Sequence, residues 1–203
     1  MNPPWKPPFY LLEDEVTCWL LDAKQVKHLP GRPKTDREDA IWLAKVAERG
    51  MARASFVPAK PIRHLRDLTR YRRSLTRDRS RTKQRLEKIL EDAQIKLGSV
   101  VSDVHGVSGR AMIEALITGQ RDPKILARLA RGSLRGKTAA LEEALTGHFD
   151  DHHALLCTMM LSTIDALSSQ IEQLTAGIEA LIAPFGDQVA QLDEISGIGC
   201  IGA

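Results

Sequence analysis

Asp36 and Asp39 are the residues of this chain whose type and spacing most directly suggest chemistry. They stand in Lys34-Thr35-Asp36-Arg37-Glu38-Asp39-Ala40, which opens a helical pattern running to Glu48. Three residues apart on a helix, their side chains share one face, with Cβ atoms about 5–6 Å apart. Carboxylates that close repel each other unless a cation, a proton or an arginine stands between them. A divalent metal is one such solution, and acid-held metals activate oxygen nucleophiles on phosphodiesters. The same letters support a second reading. Thr35-x-x-Glu38 ahead of Ile41-Trp42-Leu43 has the form of a capping box, and acids in a first turn complement the helix dipole. Spacing alone leaves both open.

The second chemistry is cationic. Between Lys60 and Lys88 twelve Lys and Arg residues face only Asp67, Asp78 and Glu87, a local charge of +9 in a chain whose net charge is +3. The remainder is therefore acidic, and such asymmetry is the footprint of a nucleic-acid binder. Nine of the twelve are arginines, the cation suited to bidentate phosphate contacts. Arg66, Arg70, Arg72, Arg73, Arg77, Arg79, Arg81 and Lys83 are the candidate nucleic-acid-binding residues, with Tyr71 among them to stack on a base. A solvated charge face without a ligand is the alternative.

Two further constellations carry less. His148, Asp150, Asp151, His152 and His153 resemble a metal cluster, but the aspartates stand where a helix N-cap belongs. Successive histidines also point about 100° apart on a helix, which favours capping over a shared ion. Ile195-Ser196-Gly197-Ile198-Gly199 resembles the hairpin of a helix-hairpin-helix, whose backbone N–H groups can meet a phosphate. An ordinary glycine turn is the alternative.

The elements that must position these residues are mostly helical. Aromatic content is 4%, and Leu, Ala and Ile dominate, which favours helix packing over a β-sandwich. Strand character is confined to residues 1–60, in Thr17-Cys18-Trp19-Leu20-Leu21 and Ser55-Phe56-Val57. Between them lie a Lys-, Pro- and Gly-rich loop, Asp22 to Lys34, and the helix Asp36 to Glu48, stopped by Gly50. Pro61 to Leu97 reads as one long helix with Gly98 as its stop. Its seam is Leu65, Leu68, Arg72, Leu75, Arg79, Thr82, Leu86, Ile89 and Ala93, with the two arginines leaving its centre wet. Shorter helices are expected over Gly109 to Ile117, Pro123 to Ala130 with Asp122 as N-cap, and Thr138 to Leu145.

A second long helix, Asp150 to Ala183, carries the heptad Met160, Ile164, Leu167, Ile171, Leu174, Ile178 and Leu181. That stripe needs a partner, either the basic helix of the same chain or its own counterpart in a second copy. Cys18, Cys157 and Cys200 are odd in number and form no CxxC, so neither a disulfide framework nor a zinc ribbon is indicated. No signal-peptide pattern and no membrane-spanning apolar run are expected, and the bacterial cytoplasm is the default compartment.

A series of short segments resembles one family. It begins with Trp5-Lys6-Pro7-Pro8-Phe9-Tyr10-Leu11-Leu12-Glu13, Cys18-Trp19-Leu20-Leu21-Asp22-Ala23 and Pro30-Gly31-Arg32-Pro33-Lys34-Thr35-Asp36. It continues through Leu65-Arg66-Asp67-Leu68-Thr69-Arg70-Tyr71-Arg72, Val107-Ser108-Gly109-Arg110-Ala111-Met112 and Gly147-His148-Phe149-Asp150-Asp151-His152-His153. In order and in register, these resemble the bacterial insertion-sequence transposases of the DEDD type, RuvC-like relatives of the Piv DNA invertases.

The resemblance implies a DNA recombinase acting in transposition, with a RuvC-like (ribonuclease H) domain holding Mg²⁺ on four acids. Asp36 and Asp39 match the third and fourth of these. DNA, as transposon ends and target, a structured guide RNA encoded beside the gene, and a homo-oligomer are the implied partners. In the family a further Asp and a Glu lie upstream of the tryptophan matching Trp5, and a serine nucleophile lies beyond the Gly-Ile-Gly segment. Neither has a counterpart in these 203 residues, so the expectation is a piece of a transposase, inactive alone. The expected fold is mainly α with an α/β remnant: a partial RuvC-like sheet, then long helices forming a coiled coil. The expected divisions are 1–60 for the partial DEDD domain and 61–149 for the basic helix with its short helices. A coiled-coil helix at 150–185 and the start of a C-terminal domain at 186–203 complete them. The competing expectation is a non-catalytic nucleic-acid-binding and oligomerisation module.

Overall fold

The computed structural model describes residues 4–27, 31 and 35–197, which form two compact units, Met1–Ile62 and Arg63–Ala203. Ile198, Gly199 and Cys200 lie outside the described residues, and with them the second half of the hairpin-like motif.

In the first unit, helix α1 (Lys6–Leu12) opens with Pro7 and Pro8, where a missing backbone N–H costs nothing. Trp5 stands edge-on to Phe9 and Tyr10, with centroids 5.7 and 6.1 Å away. The segment read as a loop contains a short helix, α2 (Ala23–Lys27), because the Asp22 carboxylate accepts from the Lys24 N–H at 3.0 Å and starts a turn. Helix α3 (Asp36–Glu48) has the expected limits. It closes where the Met51 N–H bonds the Val46 carbonyl, around Gly50 at φ +62°. The two strand candidates are extended and share one backbone bond, Ser55 N–H to Leu20 C=O at 2.7 Å, but no β-strand forms among the described residues. Among the described residues of this unit, Val26 and Val46 are the buried apolar ones, whereas Leu11, Trp19, Ile41 and Phe56 are exposed.

Helix α4 (Lys60–Asp92) dominates the second unit. Good helix formers (Arg, Leu, Lys, Glu) and the absence of glycine account for its length. It stops earlier than Gly98 would dictate. Gln94 takes the left-handed conformation at φ 63°, and the Ile95 N–H reaches back to the Leu90 carbonyl at 2.8 Å. Burial of Ile95 and Leu97 just beyond that turn explains why a non-glycine residue accepts the strain.

A 3-10 turn (Leu97–Ser99) leads to α5 (Val107–Ile117), α6 (Pro123–Ala127), a second 3-10 turn (Gly132–Lys137) and α7 (Thr138–Ala144). Asp122 caps α6 as expected, accepting from the Lys124 N–H at 2.9 Å. The long helix α8 (Asp151–Ile182) starts at a capping box in which Asp150 accepts from the His153 N–H at 3.1 Å. Asp150 and His153 of the His/Asp cluster are thus spent on a helix start. Beyond a 3-10 turn (Ala183–Phe185) a final helix, α9 (Gly186–Asp193), follows.

The core joins the C-terminal half of α4 to α5, α6, α7 and the first half of α8. Leu86, Met112, Ile113, Leu126, Leu141 and Cys157 are fully buried within it. Burial also pushes the Cys157 thiol up to about 11, so it behaves as a small apolar side chain. Two glycines are required by close approach. A Cβ at Gly109 would collide with the Val104 carbonyl, and one at Gly147 with the Ala93 carbonyl. Arg110 ties α5 to α8 through a bidentate bond to Asp165, at 2.8 and 2.6 Å.

Helices α4 and α8 run antiparallel. Arg72 Nε donates to Thr175 Oγ1 at 2.8 Å; one heptad later in α4 and one heptad earlier in α8, Arg79 Nη1 donates to Ser168 Oγ at 3.2 Å. The partner of the α8 stripe is therefore the basic helix of the same chain. Its seam is offset from the expected one: Cys157, Leu161, Ile164 and Ile171 are buried, with Ser168 between the last two and Thr175 one turn beyond, while Met160, Leu167 and Leu174 flank it. The centre of α4 is not wet, since Leu75 and Thr82 are buried there. Contrary to the sequence expectation, the helical stretch Asp151–Asp193 is by length and composition sufficient to cross a membrane. Packed helices pass the same test, and here Arg72, Arg79 and Arg110 are bonded along it.

Candidate functional site

Helix α4 sorts its cations by face. With 100° per residue, Arg72, Leu75, Arg79, Thr82 and Leu86 form the row toward α8. Arg66, Arg70, Arg73, Arg77 and Arg81 fall about 180° away, at steps of four, three, four and four. All five are exposed. Arg81 stands 3.4 Å from Asp78 on the surface, while the side chains of Arg66, Arg70, Arg73 and Arg77 form no hydrogen bond or ion pair with the described residues. At a rise of about 1.5 Å per residue the row is about 22 Å long, with a guanidinium every 4.5–6 Å.

The inward arginines have a different chemistry. The Ser168 hydroxyl donates to the Ile164 carbonyl at 2.8 Å, and the Thr175 hydroxyl to the Ile171 carbonyl at 2.7 Å. Each hydroxyl spends its hydrogen on its own helix and keeps a lone pair to receive a guanidinium N–H. Arg72 and Arg79 of the candidate set are therefore engaged within the fold, Lys83 is half-buried, and the other five residues face outward. Charge counting finds all eight, but only the position of α8 separates them.

The acid pair sits in the first turn of α3, with Asp36 exposed and Asp39 half-buried. The capping box is not realised. Thr35 is at the N-cap position, but its hydroxyl donates to the Glu38 carboxylate at 2.7 Å rather than accepting a backbone N–H. Dipole complementarity survives, since Asp36, Glu38 and Asp39 all lie in that turn. Asp36 and Asp39 stand three residues apart on one face of the helix, as their spacing requires. Among the described residues no group of three or more His, Cys, Asp or Glu is placed to hold a metal.

Sequence reasoning passed over a second basic stretch. Residues 121–137 hold Arg121, Lys124, Arg128, Arg131, Arg135 and Lys137 against Asp122 alone. Counting charge in shorter windows would have found it, but the acidic surroundings masked it.

Residues 3–95, a little under half of the chain, match the family model of DEDD transposases of the IS110 type, described as a transposase. No curated protein and no solved structure matches. The matched stretch contains both the acid pair and the whole of α4, and ends where α4 closes. The match supports a transposase kind of activity, with DNA as the implied partner.

Proposed function

We propose that this chain belongs to the machinery of an insertion-sequence transposase and holds DNA along the outward face of α4. The observation that carries the reading is the row Arg66, Arg70, Arg73, Arg77 and Arg81, turned away from the core within the stretch that matches the transposase model. Clustered arginines, of which Arg81 alone in this row has a surface ion pair among the described residues, with Asp78, repel one another, and a polyanion relieves that repulsion while releasing its counterions.

In this reading the first unit is a RuvC-like domain, and Asp36 and Asp39 hold Mg²⁺ together with acids beyond those described. When bound, the metal supplies Lewis acidity for strand cleavage and rejoining at phosphodiesters. A guide RNA would use the same phosphate chemistry, and the exposed apolar residues of α8, Leu155 and Met159, suit self-association.

The test is binding of a DNA duplex across a salt series. Five neutralised phosphates predict a slope near −4.5, an affinity loss of about three decades between 50 and 200 mM salt. A flat response would sink the reading. The second reading, a non-catalytic nucleic-acid-binding module, is favoured by the lack of a closed ligand set among the described residues. Mn²⁺ binding followed by electron paramagnetic resonance separates the two: a bound ion lost in Asp36→Ala and Asp39→Ala favours the enzyme, and absence of any bound ion favours the module.

A further inference from the structure

We propose that the groove between the 3-10 turn after α4, the start of α5 and the turn before α7 is a second contact for a nucleic-acid backbone. The inference rests on the nucleic-acid reading above but concerns a different surface. The groove, open at the surface with a volume of about 660 Å³, is lined by Gly98, Ser99, Ser102, Ser133, Arg131 and Lys137, among others. Its walls are small, so a polymer backbone can approach closely, and the hydroxyls of Ser102 and Ser133 make no hydrogen bond with the described residues.

Charge points to the class of ligand. Arg128 and Arg135 are exposed on the same short stretch as Arg131 and Lys137. The acid that precedes this stretch, Asp122, is spent capping α6, and the acids that follow it, Glu142 and Glu143, lie on α7. Arg121 is excluded from the site, since it bonds the Leu116 carbonyl and lies over the Phe149 ring, 5.0 Å from its centroid. One acid does line the groove: Asp103, whose carboxylate accepts the His105 N–H at 3.0 Å. Arg131 and Lys137 line the groove against that single carboxylate. Arg128 and Arg135, the latter also donating to the Ala130 carbonyl at 3.4 Å, adjoin them in sequence, a cationic surplus suited to phosphodiesters. The arginine content and the openness of the groove favour a continuous strand over an enclosed small molecule.

The groove is separate from the outward row of α4. Glu87, Glu91 and Asp92 occupy the last turns of that helix, and Arg81 lies about 16 Å of helix before its end. A nucleic acid that uses both sites touches the row, passes the acidic end and is held again at the groove. Each contact then raises the effective concentration of the other.

The test compares salt slopes for the full chain with a DNA duplex of about 24 bp and, in parallel, an RNA hairpin of similar length. Removing Arg128, Arg131 and Lys137 together (each→Gln) should lower the slope by about 2–3 and weaken binding at least tenfold. Lys137 also donates to the Val100 carbonyl at 3.2 Å, so that variant could loosen the turn. The pair Arg128→Gln/Arg131→Gln, whose side chains carry no internal bond, should lower the slope by about 2 with an unchanged melting curve. Loss on either nucleic acid supports the groove. Slopes unchanged on both overturn it, and Arg70→Gln/Arg73→Gln/Arg77→Gln then serves as the reference. If that variant still weakens binding, the groove alone is wrong; if it too changes nothing, the nucleic-acid reading falls with it.

Discussion

Arg72 reaches Thr175 at 2.8 Å and Arg79 reaches Ser168 at 3.2 Å, whereas Arg70, Arg73 and Arg77, one or two residues away, project from the opposite face with no partner among the described residues. The same side chain therefore does two jobs on one helix. On the inner face the guanidinium is a long hydrogen-bond donor that fixes the register of α4 against α8, because only one alignment brings both arginines to hydroxyls. On the outer face it is an exposed positive charge, available to a polyanion. A count of basic residues overstates the binding surface, and a count of apolar heptad positions misplaces the seam.

The comparison is most directly broken from outside. Reversing Arg70, Arg73 and Arg77 to glutamate should lower DNA affinity about a thousandfold at moderate salt while leaving the melting temperature unchanged. Retained affinity, measured by fluorescence anisotropy, would remove the outer face from the binding surface. The inner face should give the mirror result. Arg79→Ala is expected to cost about 1–2 kcal/mol in urea unfolding and to change DNA affinity less than threefold. Replacing both partners, Arg79→Leu with Ser168→Leu, should recover most of that loss, since an apolar pair can fill the seam. If Arg79→Ala instead weakens binding without destabilising the fold, the two faces are not distinct in role.

A smaller effect concerns the tie between α5 and α8. The hydrogen bond from Arg110 holds the Asp165 carboxyl below its usual range. A depressed carboxylate stabilises the fold above its unfolded pKa, about 3.9, and loses that contribution as the pH falls through the lower native value. The partly exposed pair should contribute about 0.5–1 kcal/mol. Asp165→Asn should therefore lower stability at neutral pH and lose part of the acid sensitivity below about pH 4, read from urea midpoints across pH. Smallest of all, Asp36→Ala on the exposed first turn of α3 should shift stability by no more than about 0.5 kcal/mol. A larger loss would mean that the acid serves the fold rather than a metal.

Much of the helical architecture was legible because its signals are local. The limits of α3, the capping of α6 by Asp122 and of α8 by Asp150, and the two long helices follow from caps, breakers and periodicity within a few residues. The Val107-Ser108-Gly109-Arg110 and Gly147-His148-Phe149-Asp150 segments gain a physical meaning in the fold. Gly109 and Gly147 admit carbonyls that a Cβ would block, Arg110 clamps Asp165, and Phe149 is buried.

The sequence by itself therefore determined the helices α3 to α8 and that positive charge gathers on one of them, whereas α1, α2 and α9 carried no such signal. Only the tertiary structure decided where α4 ends and which arginines remain available. Gln94 could take a left-handed turn because Ile95 and Leu97 are drawn into the core beyond it, a long-range gain no local rule contains. The hydroxyls of Ser168 and Thr175 could displace Leu167 and Leu174 from the seam because arginines a hundred residues away in sequence meet them there. A heptad ranks residues by hydrophobicity along one helix, whereas the partner's side chains decide what each position has to satisfy.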